Sequence, residues 1–376
     1  MKHFTCTQTG ETYPLTQTRW HSDQGALLDI AFHGSFDPDL VKTRPANMWR
    51  YREAIPIDSG ADVVSFSEGM TPLIDLPWGG RSVQVKLDYL FPSGSYKDRG
   101  ASVLMSHAKS LGVTQVVQDS SGNAGTAVAA YAAAAGIEAH IYIPASTSPA
   151  KQIQLAAYGA HIHAVPGTRE QTADAALEAA ASTFYASHVW NPFFYQGTKT
   201  FAYELCEQLG WQAPDTVILP AGNGTLILGA AIGFREMIDM GVIRHFPKLI
   251  GIQAANCAPL LRPFEQGSDH LAPYSGQPTY AEGIAIAAPK RGDQMIREIR
   301  NSGGTILAVE EAHIKEALIE LCGLGQFVEP TSAAVLAGVS QYLQKHAAPD
   351  EHIATVLTGH GLKASQKIQK MLGLDR

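Results

Sequence analysis

The chain has 376 residues, 45% of them hydrophobic and 17% charged, with a formal net charge of −7. That length allows one to three domains around a large core, and that balance is ordinary for a globular enzyme. No clustered basic face points to nucleic acid. The four cysteines, Cys6, Cys206, Cys257 and Cys322, make no Cys-x-x-Cys pair, so neither a disulfide framework nor a cysteine zinc site is expected. The N-terminus lacks an apolar signal core, and runs such as 225–234 are too short to span a bilayer. A cytoplasmic location with stable free thiols is the expectation.

Residues 1–55 hold Trp20, Trp49 and several histidines with few periodic apolar positions, and read as a strand-rich clasp. From about residue 60, β-rich runs alternate with alanine-rich helical stretches. The pattern predicts a strand over 115–119, a helix over 124–135, a strand over 139–143, a helix over 150–158, a strand over 161–165 and a helix over 169–185. A second series follows: a helix over 201–209, strand 216–219, helix 225–240 and strand 248–253. Region 255–292 is rich in Pro, Gly and polar residues and reads as a long loop. Beyond it come a strand to 309, helices over 311–321 and 332–346, and a strand over 352–357. This rhythm predicts parallel sheet with helices on both faces, in two α/β layers joined near 195–210.

Four segments carry candidate chemistry. Lys97 sits in Ser-Gly-Ser-Tyr-Lys-Asp-Arg-Gly (93–100). A lysine beside Asp98 and Arg99 is usually a solvated helix start, but small residues before it and helix formers after it put the amine at a strand–loop–helix junction. Partial burial would lower its pKa and make it a nucleophile and a base. Ser120-Ser121-Gly122-Asn123-Ala124-Gly125-Thr126 separates a strand from a helix. It serves as an N-cap turn in any case, and helix-start N–H groups there suit a substrate carboxylate. Asn123 could offer its amide to a phenolate oxygen.

Gly222, Asn223, Gly224 and Thr225 open another helix after an apolar strand. Such a turn occurs in many βα units, and it also lets backbone approach a phosphate closely. The third glycine of a dinucleotide fingerprint is missing, which disfavours NAD. Thr358, in Thr-Gly-His-Gly, ends the last strand; it is either a plain turn residue or a hydroxyl facing a pyridine nitrogen. Together, a lysine held among small residues, an asparagine on a tight turn and a glycine nest suggest a Schiff-base lysine with a phosphate anchored elsewhere, the chemistry of pyridoxal phosphate.

Taken in order, these residues resemble the threonine synthase branch of fold-type-II pyridoxal-phosphate enzymes, within the tryptophan synthase beta-like superfamily. The likeness runs from Met48-Trp49-Arg50-Tyr51-Arg52, through Glu68-Gly69-Met70-Thr71-Pro72-Leu73 and the segment 327–333, to Gly359-His360-Gly361-Leu362-Lys363. The resemblance implies two doubly wound α/β domains with the cofactor between them. It assigns 56–90 and 205–376 to a large phosphate-binding domain and 91–204 to a small mobile domain carrying Lys97, with 1–55 as a degenerate ribbon. It implies that Lys97 carries the Schiff base, Asn123 meets the ring O3′, Gly222 to Thr225 hold the phosphate, and Thr358 meets the ring nitrogen. A small amino-acid substrate and a homodimer are implied too.

The chain departs from the family pattern in three places. Thr9, His21 and Gln24 stand where ribbon thiols would fall beside Cys6, so no metal is expected. Val189 and Phe194 stand where the family has the serine and arginine that bind the phosphate of O-phosphohomoserine, and phenylalanine cannot neutralise a dianion. Ala281-Glu282-Gly283 is closer to dehydratases and ammonia-lyases, with Glu282 either a second acid–base group or a surface loop residue. The expected activity is therefore an amino-acid lyase that eliminates or replaces a β- or γ-substituent. Threonine synthase proper, a threonine/serine dehydratase or diaminopropionate ammonia-lyase, and a non-catalytic cofactor binder are the alternatives.

Overall fold

The computed structural model describes residues 2–167 and 169–374. The chain folds as two units, Met1–Met70 with Lys97–Thr200 and Thr71–Tyr96 with Phe201–Arg376. The expected boundary near 91 thus falls at 97. Residues 1–70 belong to the Lys97 unit, whereas 56–70 were assigned by sequence to the other. The cause is local: Ser102 Oγ donates to the Val64 carbonyl (2.8 Å), Ser106 Oγ accepts from the Val64 N–H (2.8 Å), and Trp49 Nε1 donates to Ser102 Oγ (3.0 Å). These hydroxyls lie on the helix Lys97–Ser110 and bind the 60s to it.

Within the first unit, the strands His161–Val165, Glu138–Pro144, Gln115–Gln118 and Phe184–Tyr185 form a four-stranded parallel sheet in that order. Helix Asn123–Ala135, built of alanines that carry little side-chain entropy to lose, packs on it and ends at Gly136 with φ +69°. The helix expected over 169–185 stops at Ala180. Ser182 and Thr183 interrupt it, and the β-forming Phe184 and Tyr185 pair with Val116 and Val117 instead. The N-terminal clasp is a three-stranded antiparallel sheet of Thr12–Pro14, His3–Cys6 and Leu28–Ala31.

The second unit holds a six-stranded sheet in the order Thr305–Val309, Lys248–Ala254, Thr216–Pro220, Ile353–Val356, Arg81–Lys86 and Leu73–Trp78. Five strands are parallel and the last is an antiparallel edge. The strand Thr216–Pro220 is buried at every position, as expected where both sheet faces are covered. Helix Pro330–Lys345, with its proline in the first turn, packs on this sheet, where Gly338 admits Ile252. The expected loop over 255–292 contains one short helix, Leu261–Glu265, and a 3-10 turn, Glu282–Ile284. Among the described residues no helix is long and apolar enough to cross a membrane.

Candidate active site

Both sheets reverse direction in their strand order, and the candidate residues cluster at those reversals. In open α/β sheets ligands bind beyond the carboxyl ends of the strands at such a point. In the larger sheet the reversal lies between Thr216–Pro220 and Ile353–Val356, which are hydrogen-bonded neighbours. The turn Ala221–Thr225 follows the first strand and Thr358 follows the second. The next strand over, Arg81–Lys86, leads into 87–96.

The turn after Thr216–Pro220 is shaped for a close approach. Gly224, at φ +82°, precedes the helix Thr225–Asp239, and no side chain caps that helix. A Cβ on Gly222 would stand 2.9 Å from the Gly283 carbonyl oxygen and 3.1 Å from Ile284 Cα; one on Gly224 would stand 2.7 Å from Met295 Sδ. Only glycine fits at either place. Thr225 is buried, and its Oγ1 lies 2.7 Å from the Tyr96 hydroxyl.

Thr358 is buried beside this turn's strand. Ser332 Oγ accepts the Thr358 N–H (2.9 Å) and lies 3.2 Å from Thr358 Oγ1. The backbone N–H of Tyr96 donates to the Thr358 carbonyl (3.0 Å), that of His360 donates to the Gly94 carbonyl (2.9 Å), and Ser95 bridges Gly359. The segment before Lys97 is thereby stitched to the strand end carrying Thr358. Ser95 Oγ is fully buried and meets no hydrogen-bond partner. Lys97 is the next residue after Tyr96, the residue that touches Thr225.

In the first unit Lys97 opens the helix Lys97–Ser110. Its side chain is half-buried, and burial lowers the amine to about 7. Its Nζ lies 5.7 Å from the centroid of the Phe194 ring. Phe194 is fully buried on the helix Phe193–Thr198, which crosses the Lys97 helix at two glycines. A Cβ on Gly100 would run into the Phe194 ring, and one on Gly197 into the Arg99 carbonyl. Asp98 and Arg99 are fully buried, Arg99 Nη1 donating to Thr200 Oγ1 at 3.0 Å. The Arg99–Thr200 bond ties the start of this helix to the residue just past the end of the helix Phe193–Thr198.

The smaller sheet reverses between Gln115–Gln118 and Phe184–Tyr185. The turn 120–126 follows the first of these. Ser120 and Ser121 are half-buried, Gly122 is exposed, and Asn123 begins the helix Asn123–Ala135. Gly122 N–H donates to Ser120 Oγ (3.3 Å), and Thr126, buried, returns its hydroxyl to the Gly122 carbonyl (3.1 Å). Gly125 is pressed against the Ser120 carbonyl so closely that a Cβ could not fit. Val189, 8% exposed, lies in the loop after Phe184–Tyr185.

Glu282 opens the 3-10 turn Glu282–Ile284. Its side chain is 51% exposed and paired with Lys367, so a solvated ion pair describes it. Ser95, Tyr96 and Ser332, which sequence reasoning passed over as motif flanks, contact Gly359, Thr225 and Thr358. Their signal was present in 93–100 and 327–333, but a hydroxyl becomes informative only once its partner is known.

The chain matches the family model described as pyridoxal-phosphate dependent enzyme over residues 64–359. It is 34% identical over 372 residues to the threonine synthase of Methanocaldococcus jannaschii, covering 95% of this chain and 92% of that one. To the threonine synthase of Synechocystis it is 37% identical over 325 residues, covering 83% and 82%. Its fold is similar to threonine deaminase isoform 2 from Solanum lycopersicum (TM-score 0.72, 22% identity, covering 88% of this chain and 91% of that one) and to maize serine racemase (0.69, 23%, 88% and 98%). The matched span takes in Lys97, both switch-point turns and Thr358, and the chain belongs to the pyridoxal-phosphate-dependent enzyme family, as a lyase of its threonine synthase branch.

Proposed function

We propose that this enzyme removes or replaces a β- or γ-substituent of a small L-amino acid, with Lys97 as the amine that holds the cofactor aldehyde and moves the substrate α-proton. The observation that carries the reading is the state of Lys97. A half-buried amine at a helix start, under an aromatic ring and with its pKa lowered to about 7, is substantially neutral at physiological pH, as a nucleophile and base must be.

The residues fit pyridoxal phosphate. The glycine turn is a cradle that any Cβ would fill, and Ser95 Oγ is an orphaned buried hydroxyl two residues before Lys97. In this proposal Gly222, Asn223, Gly224 and Thr225 hold the phosphate, Asn123 the ring's phenolate oxygen, and Thr358 the ring nitrogen. Ser120, Ser121, Gly122, Gly125 and Thr126 hold the substrate carboxylate. When bound, the cofactor supplies an electron sink for the pair left at Cα. Lys97 Nζ accepts the Cα proton. Thr358, fixed by Ser332, offers the ring nitrogen a neutral hydroxyl rather than a carboxylate, which favours elimination and replacement over transamination. Glu282, paired with Lys367, has no step in this scheme.

The fully buried Phe194 beside Lys97, with Val189 also buried, favours a substrate whose leaving group is not a phosphate dianion, because burying one among apolar groups without an arginine costs several kcal/mol, roughly. Threonine synthase activity on O-phosphohomoserine is the second reading, favoured by the 34% identity to a threonine synthase across nearly the whole chain. A panel of L-serine, L-threonine, diaminopropionate and O-phosphohomoserine, scored for keto acid, ammonia and inorganic phosphate, separates the two. Keto acid and ammonia from the unphosphorylated substrates support the first reading; fast phosphate release from O-phosphohomoserine selects the second. A yellow protein with no spectral response to any of them would be a non-catalytic cofactor binder. A homodimer, carried by the resemblance, and a cytoplasmic location, expected from the free thiols, belong to the same proposal and are checked by light scattering and cell fractionation.

A further inference from the structure

Tyr96 has no part in the reaction proposed above, yet its hydroxyl lies 2.7 Å from Thr225 Oγ1, a member of the proposed phosphate turn. Both residues belong to the second unit. The half-buried tyrosine is held by its backbone. Its N–H donates to the Thr358 carbonyl at 3.0 Å, the neighbouring Ser95 bridges Gly359, and the His360 N–H donates to the Gly94 carbonyl at 2.9 Å. Thr225 is 1% exposed and begins the helix Thr225–Asp239. The phenol–threonine contact therefore joins two fixed pieces of backbone rather than two mobile side chains.

The turn that Thr225 closes is short of charge. Ala221, Gly222, Asn223, Gly224 and Thr225 include no lysine or arginine. No side chain caps the helix, and its first N–H groups are natural donors to an anion. A phosphate on this turn is held by neutral donors, and a neutral donor counts only when its hydrogen points at the oxygen. Chemistry sets the direction within the hydroxyl pair. A phenol is a far stronger acid than an aliphatic alcohol, so it is the better donor of the two. Burial raises the Tyr96 phenol above its ordinary value, and the charges of Asp88 and Glu329 raise it further, so it keeps its proton at neutral pH.

We propose that Tyr96 is a positioning residue for the phosphate of the cofactor. Its phenol donates to Thr225 Oγ1, and the threonine hydroxyl turns its own hydrogen onto a phosphate oxygen. A hydroxyl that accepts one hydrogen bond gives a stronger one in turn. The relay adds a directed donor without adding a charge, and Tyr96 itself touches no ligand atom. With Gly222 to Thr225 as the phosphate cradle, on which this role rests, the residue before Lys97 acts in phosphate affinity and not in proton transfer.

Tyr96→Phe keeps the ring and its packing and removes only the hydroxyl. The test is titration of the cofactor-free full chain with pyridoxal phosphate and with pyridoxal, the same aldehyde without the phosphate. Tyr96→Phe should weaken pyridoxal phosphate binding by about 3- to 10-fold, the worth of one hydrogen bond. It should leave pyridoxal binding unchanged and move the phosphorus NMR resonance of the holoenzyme. Thr225→Val should weaken pyridoxal phosphate at least as much, with no further loss when Tyr96→Phe is added, and Thr225→Ser should keep the wild-type preference. Equal weakening of both aldehydes, no weakening of either, or additive losses in the double variant overturns the role of Tyr96. A wild type that binds the two aldehydes alike overturns the cradle and the relay with it. The wild-type ratio thus judges the cradle, and the Tyr96→Phe ratio judges the relay.

Discussion

The two switch-point turns are built from nearly the same letters and behave differently. Gly222-Asn223-Gly224-Thr225 is buried apart from a half-buried Asn223, and its glycines are walled by Gly283, Ile284 and Met295. Ser120-Ser121-Gly122-Asn123 is open, with Gly122 exposed and its serines half-exposed. A fixed, walled turn suits a group that stays, and an open one suits a group that comes and goes. The difference arises from what packs behind each turn, since both end a strand and begin a helix.

Removing Lys97, the amine of the proposed reaction, gives the largest effect. Lys97→Ala is expected to abolish the borohydride-stable label at position 97 and to lower turnover by at least on the order of 10^2- to 10^4-fold, the worth of a lost acid–base group alone. Mass analysis of reduced, digested protein and steady-state kinetics check it. The walled turn should break next. Gly222→Ala forces a Cβ against backbone atoms and is expected to destabilise by roughly 1–3 kcal/mol and to weaken cofactor retention, measured by melting and by cofactor titration. Gly125→Ala sharpens the contrast: it shifts the Ser120 carbonyl, so it should raise KM while the cofactor stays bound.

A pH series separates Lys97 from its surroundings. The folded amine sits near 7, below its ordinary value of about 10.4. The unfolded chain therefore binds more protons between those two values, and this group's contribution makes the cofactor-free protein more stable as pH rises through that window. Aldehyde capture by cofactor-free protein should show a midpoint near 7; a midpoint near 10 would show an ordinary solvated lysine. The smallest effect is expected of Ser332→Ala, which strips Thr358 of its support. About 1 kcal/mol of stability should be lost, with a shift in the visible absorption of the bound cofactor.

Much of the fold around this candidate site was legible because its turns sit at junctions that sequence marks strongly. A lysine among small residues, and glycines between an apolar strand and an amphipathic helix, are local signals, and the strands 161–165 and 216–220 follow from β-branched and apolar runs. What was not legible depends on distant partners. The strands Leu73–Trp78 and Arg81–Lys86 pair through a Gly-Gly turn, yet Asp75, Pro77 and Ser82 blur their alternation. Helix Gly292–Asn301 was hidden behind a polar, glycine-rich approach. The grouping of 56–70 with Lys97 rests on Ser102 and Ser106, hydroxyls that look like ordinary helix residues until their acceptors are known. Glu282 drew attention by its motif, and its pairing with Lys367 depends on a residue 85 positions away (367 − 282).

The contact between Gly100 and Phe194 bears on how this enzyme could change its substrate. An aromatic ring lying on a bare backbone makes the two positions a coupled pair, so neither can drift alone: a side chain at 100 demands a smaller residue at 194, and a smaller residue at 194 leaves a void over the lysine. Redesign toward anionic substrates by Phe194→Arg would therefore begin from a helix crossing shaped to a flat ring. Compensating exchanges at 100 and 197 would have to accompany it, with coupling of about 0.5–3 kcal/mol between them.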